Sequence, residues 1–242
     1  MPGLGVAMSR LHGNLVVFLL LGVFLLLGAL GLPSAALADT LRYDFKRPGD
    51  AAGWTPLSVP WAVTDDGFGP VKDDPDLPPI VVLDKFSVRS LEVRFELDVP
   101  SAPGIMAGVL FDPEGIASSI GSVAVYYVTT GQFNWLIIGK IRKVPGHEAS
   151  ISPFYYERIE GPAESFMVRT RGKEILLFVD DGYVGGMALQ AWPDRRAALF
   201  STSLGRDLAA FRSVRIRWPM TDEDMRVDDG SLAKTLRKFD RR

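Results

Sequence analysis

The chain has 242 residues, with 27 Lys and Arg, 29 Asp and Glu, two histidines and no cysteine. The lack of cysteine excludes disulfide bonds, thiolate metal sites and lipid attachment at an N-terminal cysteine. The slightly negative net charge of −2 gives no reason to expect a nucleic-acid partner.

Residues 1–38 have the pattern of a secretory signal. Arg10 precedes an apolar run over 15–32, and Pro33-Ser34 separates that run from Ala36-Leu37-Ala38. This order predicts export and cleavage after Ala38. The alternative is a retained anchor, because the run is near the lower length limit for a bilayer-spanning helix. In both cases we expect a periplasmic or extracellular protein that meets the membrane, if at all, through this segment.

From residue 40 onward, short alternating segments separated by Gly, Pro and Asp clusters predict strands and no long helix. The predicted loops lie at 65–79, 112–121 and 143–152. In 91–98 every second residue is apolar, as in a half-buried antiparallel strand, whereas in 211–218 the apolar residues are imperfectly in step. About a dozen strands predict a sandwich or a barrel. These strands are expected near 41–45, 61–64, 80–83, 90–99, 105–112, 122–129, 133–141, 154–159, 165–170, 174–179, 197–200 and 211–218.

Residues 165–184 give the clearest strand pattern. Apolar residues alternate along 166–170 and again along 175–179, with Gly172 between the two strands. A second turn at Asp180-Asp181-Gly182 leads into Tyr183 and Val184. We therefore expect a three-stranded meander in which glycine takes positive φ at the turns.

Residues 220–242 form a charged tail, acidic first and basic at the end. Ser231 would cap a short helix with Leu232, Leu236 and Phe239 on one face. Such a helix could dock on a partner or contact anionic lipid, but a solvated, frayed end is favoured, because a helix of this length is marginal alone. The predicted organisation is a signal over 1–38, one β-sandwich domain over 39–219 and this tail.

Seven strand-like segments between residues 40 and 218 follow one another in a characteristic order. In this order they resemble the concanavalin A-like lectin/glucanase jelly-roll superfamily, in particular the laminin G-like branch that includes the 3-keto-disaccharide hydrolase domain family. The resemblance implies an all-β antiparallel jelly-roll sandwich and says much less about activity. The segments are YDF (43–45), WAVTDDG (61–67), FSVRSLEVRFELDV (86–99), PGIMAGVLFD (103–112), VYYV (125–128), VRTRGKEILLFVDDGYV (168–184) and FRSVRIRW (211–218).

The chain lacks the catalytic sequence patterns of the enzymes that it resembles. Hydrolases of that branch carry a Tyr-Glu pair where this chain has Tyr126-Tyr127. Retaining glucanases of the fold use Glu-x-Asp-x-x-Glu, because two carboxylates must flank the glycosidic bond, and segment 96–101 lacks the final acid. The resemblance therefore assigns no catalytic residue.

Aromatic side chains are the candidates for ligand contact, because sugar rings stack on exposed aromatic rings. Core packing is the alternative for each of them. Adjacent residues of a strand point to opposite faces, so the pairs 126–127 and 155–156 each divide between two environments. The candidates are Tyr126, Trp135, Tyr155, Tyr156 and Trp192.

The sequence predicts no cofactor. Calcium is kept as an alternative because of the acidic clusters at 65–66, 73–76 and 180–181. None of these has the spacing of a calcium-binding loop, and Asp-rich turns often serve local hydrogen bonding.

We therefore expect an exported, non-catalytic binding module for a glycan or another cell-envelope ligand. One alternative is a glycoside-active hydrolase resembling the 3-keto-disaccharide hydrolases, with an acid/base pair drawn from Asp112, Glu114, Glu157 and Glu160. A second alternative is a structural or protein-interaction domain of the cell envelope.

Overall fold

The computed structural model describes residues 38–74, 76–84, 86–117, 121–130, 133–189, 196–203 and 207–227. Two 3-10 helices, Pro48–Ala51 and Pro113–Ala117, lie in this part of the chain. Within it, no helix has the length and apolar character needed to cross a membrane. The predicted signal up to residue 37 and the predicted helix at Ser231 lie outside the described residues.

Every predicted strand is confirmed, but the strands Trp54–Pro56 and Gly67–Pro70 were not predicted. The predicted loop over 143–152 is wrong at its end, because a strand paired with the preceding one begins at Ser150. In chain order the strands are β1 (Asp39–Tyr43), β2 (Trp54–Pro56), β3 (Trp61–Thr64), β4 (Gly67–Pro70), β5 (Ile80–Leu83), β6 (Ser90–Asp98), β7 (Ile105–Phe111), β8 (Ser122–Thr129), β9 (Asn134–Arg142), β10 (Ser150–Ile159), β11 (Ser165–Arg171), β12 (Glu174–Val179), β13 (Gly182–Ala188), β14 (Ala197–Ser203) and β15 (Ala210–Trp218).

The strands form two sheets whose paired strands are antiparallel. Sheet A has the order β13-β12-β11-β6-β15-β4-β3, and β1 pairs with the second half of β15. Sheet B has the order β10-β9-β8-β7-β14-β5-β2. A shared apolar core lies between them, so the expected sandwich is confirmed.

Alternation along β6 shows how the core forms. Leu91, Val93, Phe95 and Leu97 point between the sheets and are at most 1% exposed. Phe95 pairs in register with Phe166 of β11, and their rings stack with centroids 5.3 Å apart. The half-buried strand predicted from residues 91–98 is confirmed.

A second apolar cluster covers part of the outer face of sheet B. Side chains pointing away from the shared core come together there from β5, β7, β8, β9 and β14. Leu77, from the segment before β5, and Ile116, from the 3-10 helix after β7, pack against or within this cluster. Lys143 holds both segments in place, because its Nζ donates to the carbonyl of Asp76 and its backbone N–H to that of Ile116.

The predicted loop over 65–79 is wrong at its beginning. Residues 65–66 form a tight turn, and β4 follows as a strand paired with β3 and β15. Phe68 is 2% exposed, and a Cβ on Gly67 would lie 2.5 Å from the carbonyl oxygen of Phe211. Gly67 and Gly69 suggested a loop, but Gly67 allows β4 to approach β15 closely.

The meander over 165–184 is confirmed, with one correction at its second turn. Gly172 takes positive φ at the first turn, as predicted. At the second turn Asp180 and Asp181 take φ of 47° and 63°, and Gly182 begins β13. Both central residues of this type of hairpin turn need positive φ, which Asp tolerates better than most residues.

The beginning of the charged tail lies against sheet A. The carboxylate of Asp224 pairs with Arg217 at 2.9 Å, and Arg169 donates to the carbonyl of Asp224. Burial alone would raise the pKa of Asp224, but hydrogen bonds from Thr221 and the pairing with Arg217 outweigh it and lower the pKa below its ordinary value. Charge therefore helps to hold Asp224 against the sheet, while Met220 is buried and its N–H donates to Ser90.

Candidate functional site

Three aromatic rings and one guanidinium meet on the outer face of sheet B. The Trp135 ring lies 6.5 Å from that of Phe133 and 5.6 Å from that of Tyr156, both in edge-to-face geometry. The guanidinium carbon of Arg158 lies 3.9 Å from the centre of the Phe133 ring. We refer to these four side chains as the aromatic patch.

Strand register places the patch at the free edge of the sheet. Trp135 of β9 is paired with Arg158 of β10, and Tyr156 with Ile137. Because paired residues of antiparallel strands share a face, these side chains all point away from the shared core. β10 is the edge strand of sheet B, so the patch is open on one side.

The patch combines exposed apolar surface with hydrogen-bond donors. Tyr156 is 60% exposed and Phe133 38% exposed, and Trp135 is half-buried between them. The Trp135 ring stands nearly perpendicular to both of its neighbours. The Tyr156 hydroxyl and the Arg158 guanidinium add hydrogen-bonding groups beside the rings.

A bulge in β10 determines which tyrosine reaches the patch. The register shifts between Pro153 and Tyr155, so Tyr156 faces outward and Tyr155 faces the interior. The two tyrosines therefore point to opposite sides, as the sequence predicts.

Tyr155 closes the seam between the two sheets and does not belong to the patch. Its hydroxyl donates to Glu157 at 2.8 Å and accepts the backbone N–H of Gly186 in β13 at 3.2 Å. Burial, then the hydrogen bond and charge of Glu157, raise the pKa of Tyr155. A Cβ on Gly185 would lie 2.2 Å from the Tyr155 hydroxyl oxygen, so any larger residue there would displace that hydroxyl.

Tyr126 is a core residue, contrary to its selection as a ligand contact. It is 2% exposed within the second cluster, with its ring 5.7 Å from that of Phe200. Gly139 on the neighbouring strand leaves space for the ring, since a Cβ there would lie 3.2 Å from its Cε1 and hydroxyl, and Gly108 leaves space for the Tyr126 backbone. Burial raises the pKa of Tyr126 to about 12. The sequence could not show that other segments cover this outer face.

The remaining candidate ligand residue, Trp192, lies outside the described residues. Two members of the patch, Phe133 and Arg158, were not among the predicted contacts. Alternation along β9 and β10 suggests which side chains share a face within each strand. Only the register of the bulged strand pair shows that Arg158 lies opposite Trp135.

The four carboxylates considered for an acid/base pair do not come together. Asp112 and Glu114 follow the end of β7 that pairs with Val123, whereas Glu157 and Glu160 lie where β10 pairs with the start of β9. These are opposite ends of sheet B. Glu114 also pairs with Arg196, and Glu160 is exposed.

Members of two of the acidic clusters, 73–76 and 180–181, form hydrogen bonds and ion pairs with other parts of the protein. The Asp73 carboxylate accepts the Asp74 N–H and the Thr202 hydroxyl, and Asp76 pairs with Lys143 at 3.6 Å. Asp181 pairs with Arg94 at 2.6 Å. In the part of the chain that the structure describes, no group of three His, Asp or Glu side chains has the proximity needed for a metal ion.

No protein-family model matches the chain, and no curated protein matches it in sequence. Solved structures match its fold. A non-specific endo-β-1,3(4)-glucanase of glycoside hydrolase family 16 has a TM-score of 0.53 at 10% identity, over 78% of this chain and 93% of that one. The κ-carrageenase of Pseudoalteromonas carrageenovora, in complex with an oligotetrasaccharide of κ-carrageenan, has a TM-score of 0.51 at 9% identity, over 77% and 98%.

These similarities, with the two-sheet topology, define the class of the protein. It is an all-β protein with the concanavalin A-like jelly-roll fold, as the sequence segments suggested. At such low identity the likeness shows the fold alone.

Proposed function

We propose that the protein is a non-catalytic binding module whose aromatic patch binds a glycan of the cell envelope. The observation that carries this proposal is the grouping of Phe133, Trp135 and Tyr156 at an open sheet edge, beside Arg158. Export by residues 1–38 is part of the proposal, because it would bring the patch to envelope glycans.

The physical basis is the amphipathic nature of sugars. The C–H face of a pyranose packs on an aromatic ring, while its hydroxyl groups need donors and acceptors at the rim. Tyr156 is the most exposed ring of the patch. The fold neighbours described above are named for glycan substrates, which agrees with a glycan ligand for this fold.

This proposal can be tested by isothermal titration calorimetry of the protein with a panel of oligosaccharides. Tyr156→Ala should weaken binding by about 2 kcal/mol, or roughly 30-fold, which is typical of a central aromatic contact. Tyr156→Phe should keep most of the affinity, because it retains the ring. Leu57→Ala is the matched control, since Leu57 is 51% exposed and lies beside β2, the opposite edge strand of sheet B.

A hydrolase is the second candidate, and one buried carboxylate favours it. Glu157 is 6% exposed and accepts a hydrogen bond from Tyr155. Hydrolysis by a carboxylate pair needs a partner on the other side of the bond, and the other three candidate acids do not supply one in this geometry. Turnover of an oxidised disaccharide that Glu157→Gln abolishes would establish this function in place of the binding module.

A further inference from the structure

Three arginines lie side by side across the outer face of sheet A. Arg42 of β1 is paired in register with Arg215 of β15, and Arg215 is paired with Arg94 of β6. We refer to these three residues as the arginine row. Like charges directly opposite each other on neighbouring strands destabilise a sheet, so the row needs a source of negative charge.

The adjacent row of the same sheet shows how arginines are neutralised within the protein. There Glu92 of β6 lies between Arg217 of β15 and Arg169 of β11. Its carboxylate accepts from Arg169 at 2.8 Å and from Arg217 at 3.2 Å, and it is 6% exposed. In the arginine row, β6 has Arg94 at the position that corresponds to Glu92, so the row contains no carboxylate of its own.

The two outer members of the row have ion-pair partners, whereas the described residues provide none for the central member. Arg42 pairs with Asp44 at 3.1 Å, and Arg94 pairs with Asp181 at 2.6 Å. Among the described residues, no carboxylate lies within ion-pair distance of Arg215, whose side chain is exposed. The charge at the centre of the row is therefore left to solvent or to a ligand.

A depression of about 170 Å³ lies over the row. We propose that it binds a sulfate or phosphate group, with the guanidinium groups of Arg215 and Arg42 as the direct contacts. Ser213, which also lines the depression, offers a hydroxyl donor. Arg94 contributes positive charge but no direct contact, because its two terminal nitrogens already contact Asp181 and the Met167 sulfur.

The chemistry of guanidinium fits such a group. Its planar fork of N–H donors matches two oxygens of a tetrahedral oxyanion at once, whereas a lysine acts as a single point charge. Two carboxylates also line the depression, those of Asp44 and Glu96. Asp44 is engaged by Arg42, so Glu96 is the group that opposes anion binding.

Calorimetric titration of the full-length protein with inorganic sulfate and phosphate, at constant ionic strength, tests the proposal. Arg215→Gln should weaken binding about tenfold or more, as expected for the loss of a charge-assisted contact. Arg215→Lys should bind with intermediate affinity. Glu96→Gln should strengthen binding, which a purely structural role of the row would not produce. Arg142→Gln, at an exposed site in sheet B, is the matched control and should bind like the wild-type protein.

Larger ligands identify the source of the anion. A sulfated oligosaccharide and vesicles of phosphatidylglycerol are compared with a desulfated oligosaccharide and vesicles of phosphatidylcholine. If the protein prefers one of the two charged ligands and this preference requires Arg215, the site is supported and that ligand is the source of the anion. If only the inorganic ions bind, the site is one for small free anions. Equal affinity of wild-type and Arg215→Gln proteins for every ligand, or no binding at all, would overturn the proposal.

Discussion

Replacing Glu92 by Gln tests whether charge pairing holds the centre of sheet A together. Glu92 is buried between Arg169 and Arg217, which are 20% and 23% exposed. Removing one partner of a buried ion pair leaves the other charges uncompensated and costs about 3–5 kcal/mol. Because both arginines keep some solvent contact, we expect the lower end, about 3 kcal/mol, of lost unfolding free energy.

Chemical denaturation and thermal unfolding both measure this loss. A change of about 3 kcal/mol should lower Tm by roughly 6–12 °C in a domain of this size. Glu96→Gln is the matched control, because Glu96 lies on the same strand and face but is exposed. That variant should stay within about 0.5 kcal/mol of the wild-type protein.

The reasoning would be refuted if Glu92→Gln changed stability no more than Glu96→Gln does. Double-mutant cycles with Arg169→Gln and Arg217→Gln locate the effect. Coupling energies near zero in both cycles would show that the network around Glu92 contributes contacts but no stability.

Three further predictions follow from the described contacts. Because the buried hydroxyl of Tyr126 has its pKa raised to about 12, its ionised form favours the unfolded state, and about 2 kcal/mol of stability should be lost as the pH rises from 10 to 12. Gly185→Ala should destabilise by about 1–3 kcal/mol, because the new methyl group meets the Tyr155 hydroxyl. The lowered pKa of Asp224 means that its contribution to docking of the tail is complete above about pH 4 and is lost as the pH falls through that lowered pKa.

Each of these predictions has a direct measurement. Ultraviolet titration of Tyr126→Phe against the wild-type protein should lose one late-titrating phenol, and an unchanged titration curve would contradict the assignment. For Gly185→Ala, adding Tyr155→Phe should give a double variant that loses less stability than the sum of the single changes. For Asp224, the hydrogen-exchange protection factors of the tail amides should fall in acid, and Asp224→Asn should show the same loss of protection at neutral pH.

The sequence predicts strands well wherever apolar and polar residues alternate, so that one face of the strand is apolar and the other polar. β6 is such a case, because its apolar residues recur with a period of two and all enter the core. β4 was missed, since its glycines and proline indicate a loop unless the approach of β15 is known. The imperfect alternation of 211–218 has a physical cause in the register shift between Phe211 and Ser213.

The candidate site was predicted in part. Trp135 and Tyr156 could be selected as aromatics, but their exposure depends on the fold. Simple alternation from Ile151 would place Tyr155 outward, and the bulge after Pro153 reverses this. Tyr126 is buried because distant segments cover its face, and no local pattern encodes that cover.

The most direct test of the account is calorimetric glycan binding by wild-type protein and Tyr156→Ala. Tyr156 is largely exposed, so the variant should keep its stability within about 0.5 kcal/mol. We predict a glycan that binds the wild-type protein and binds the variant roughly 30-fold more weakly. Equal affinity of the two proteins for that glycan, or no glycan bound by either, would contradict the aromatic patch as a glycan site.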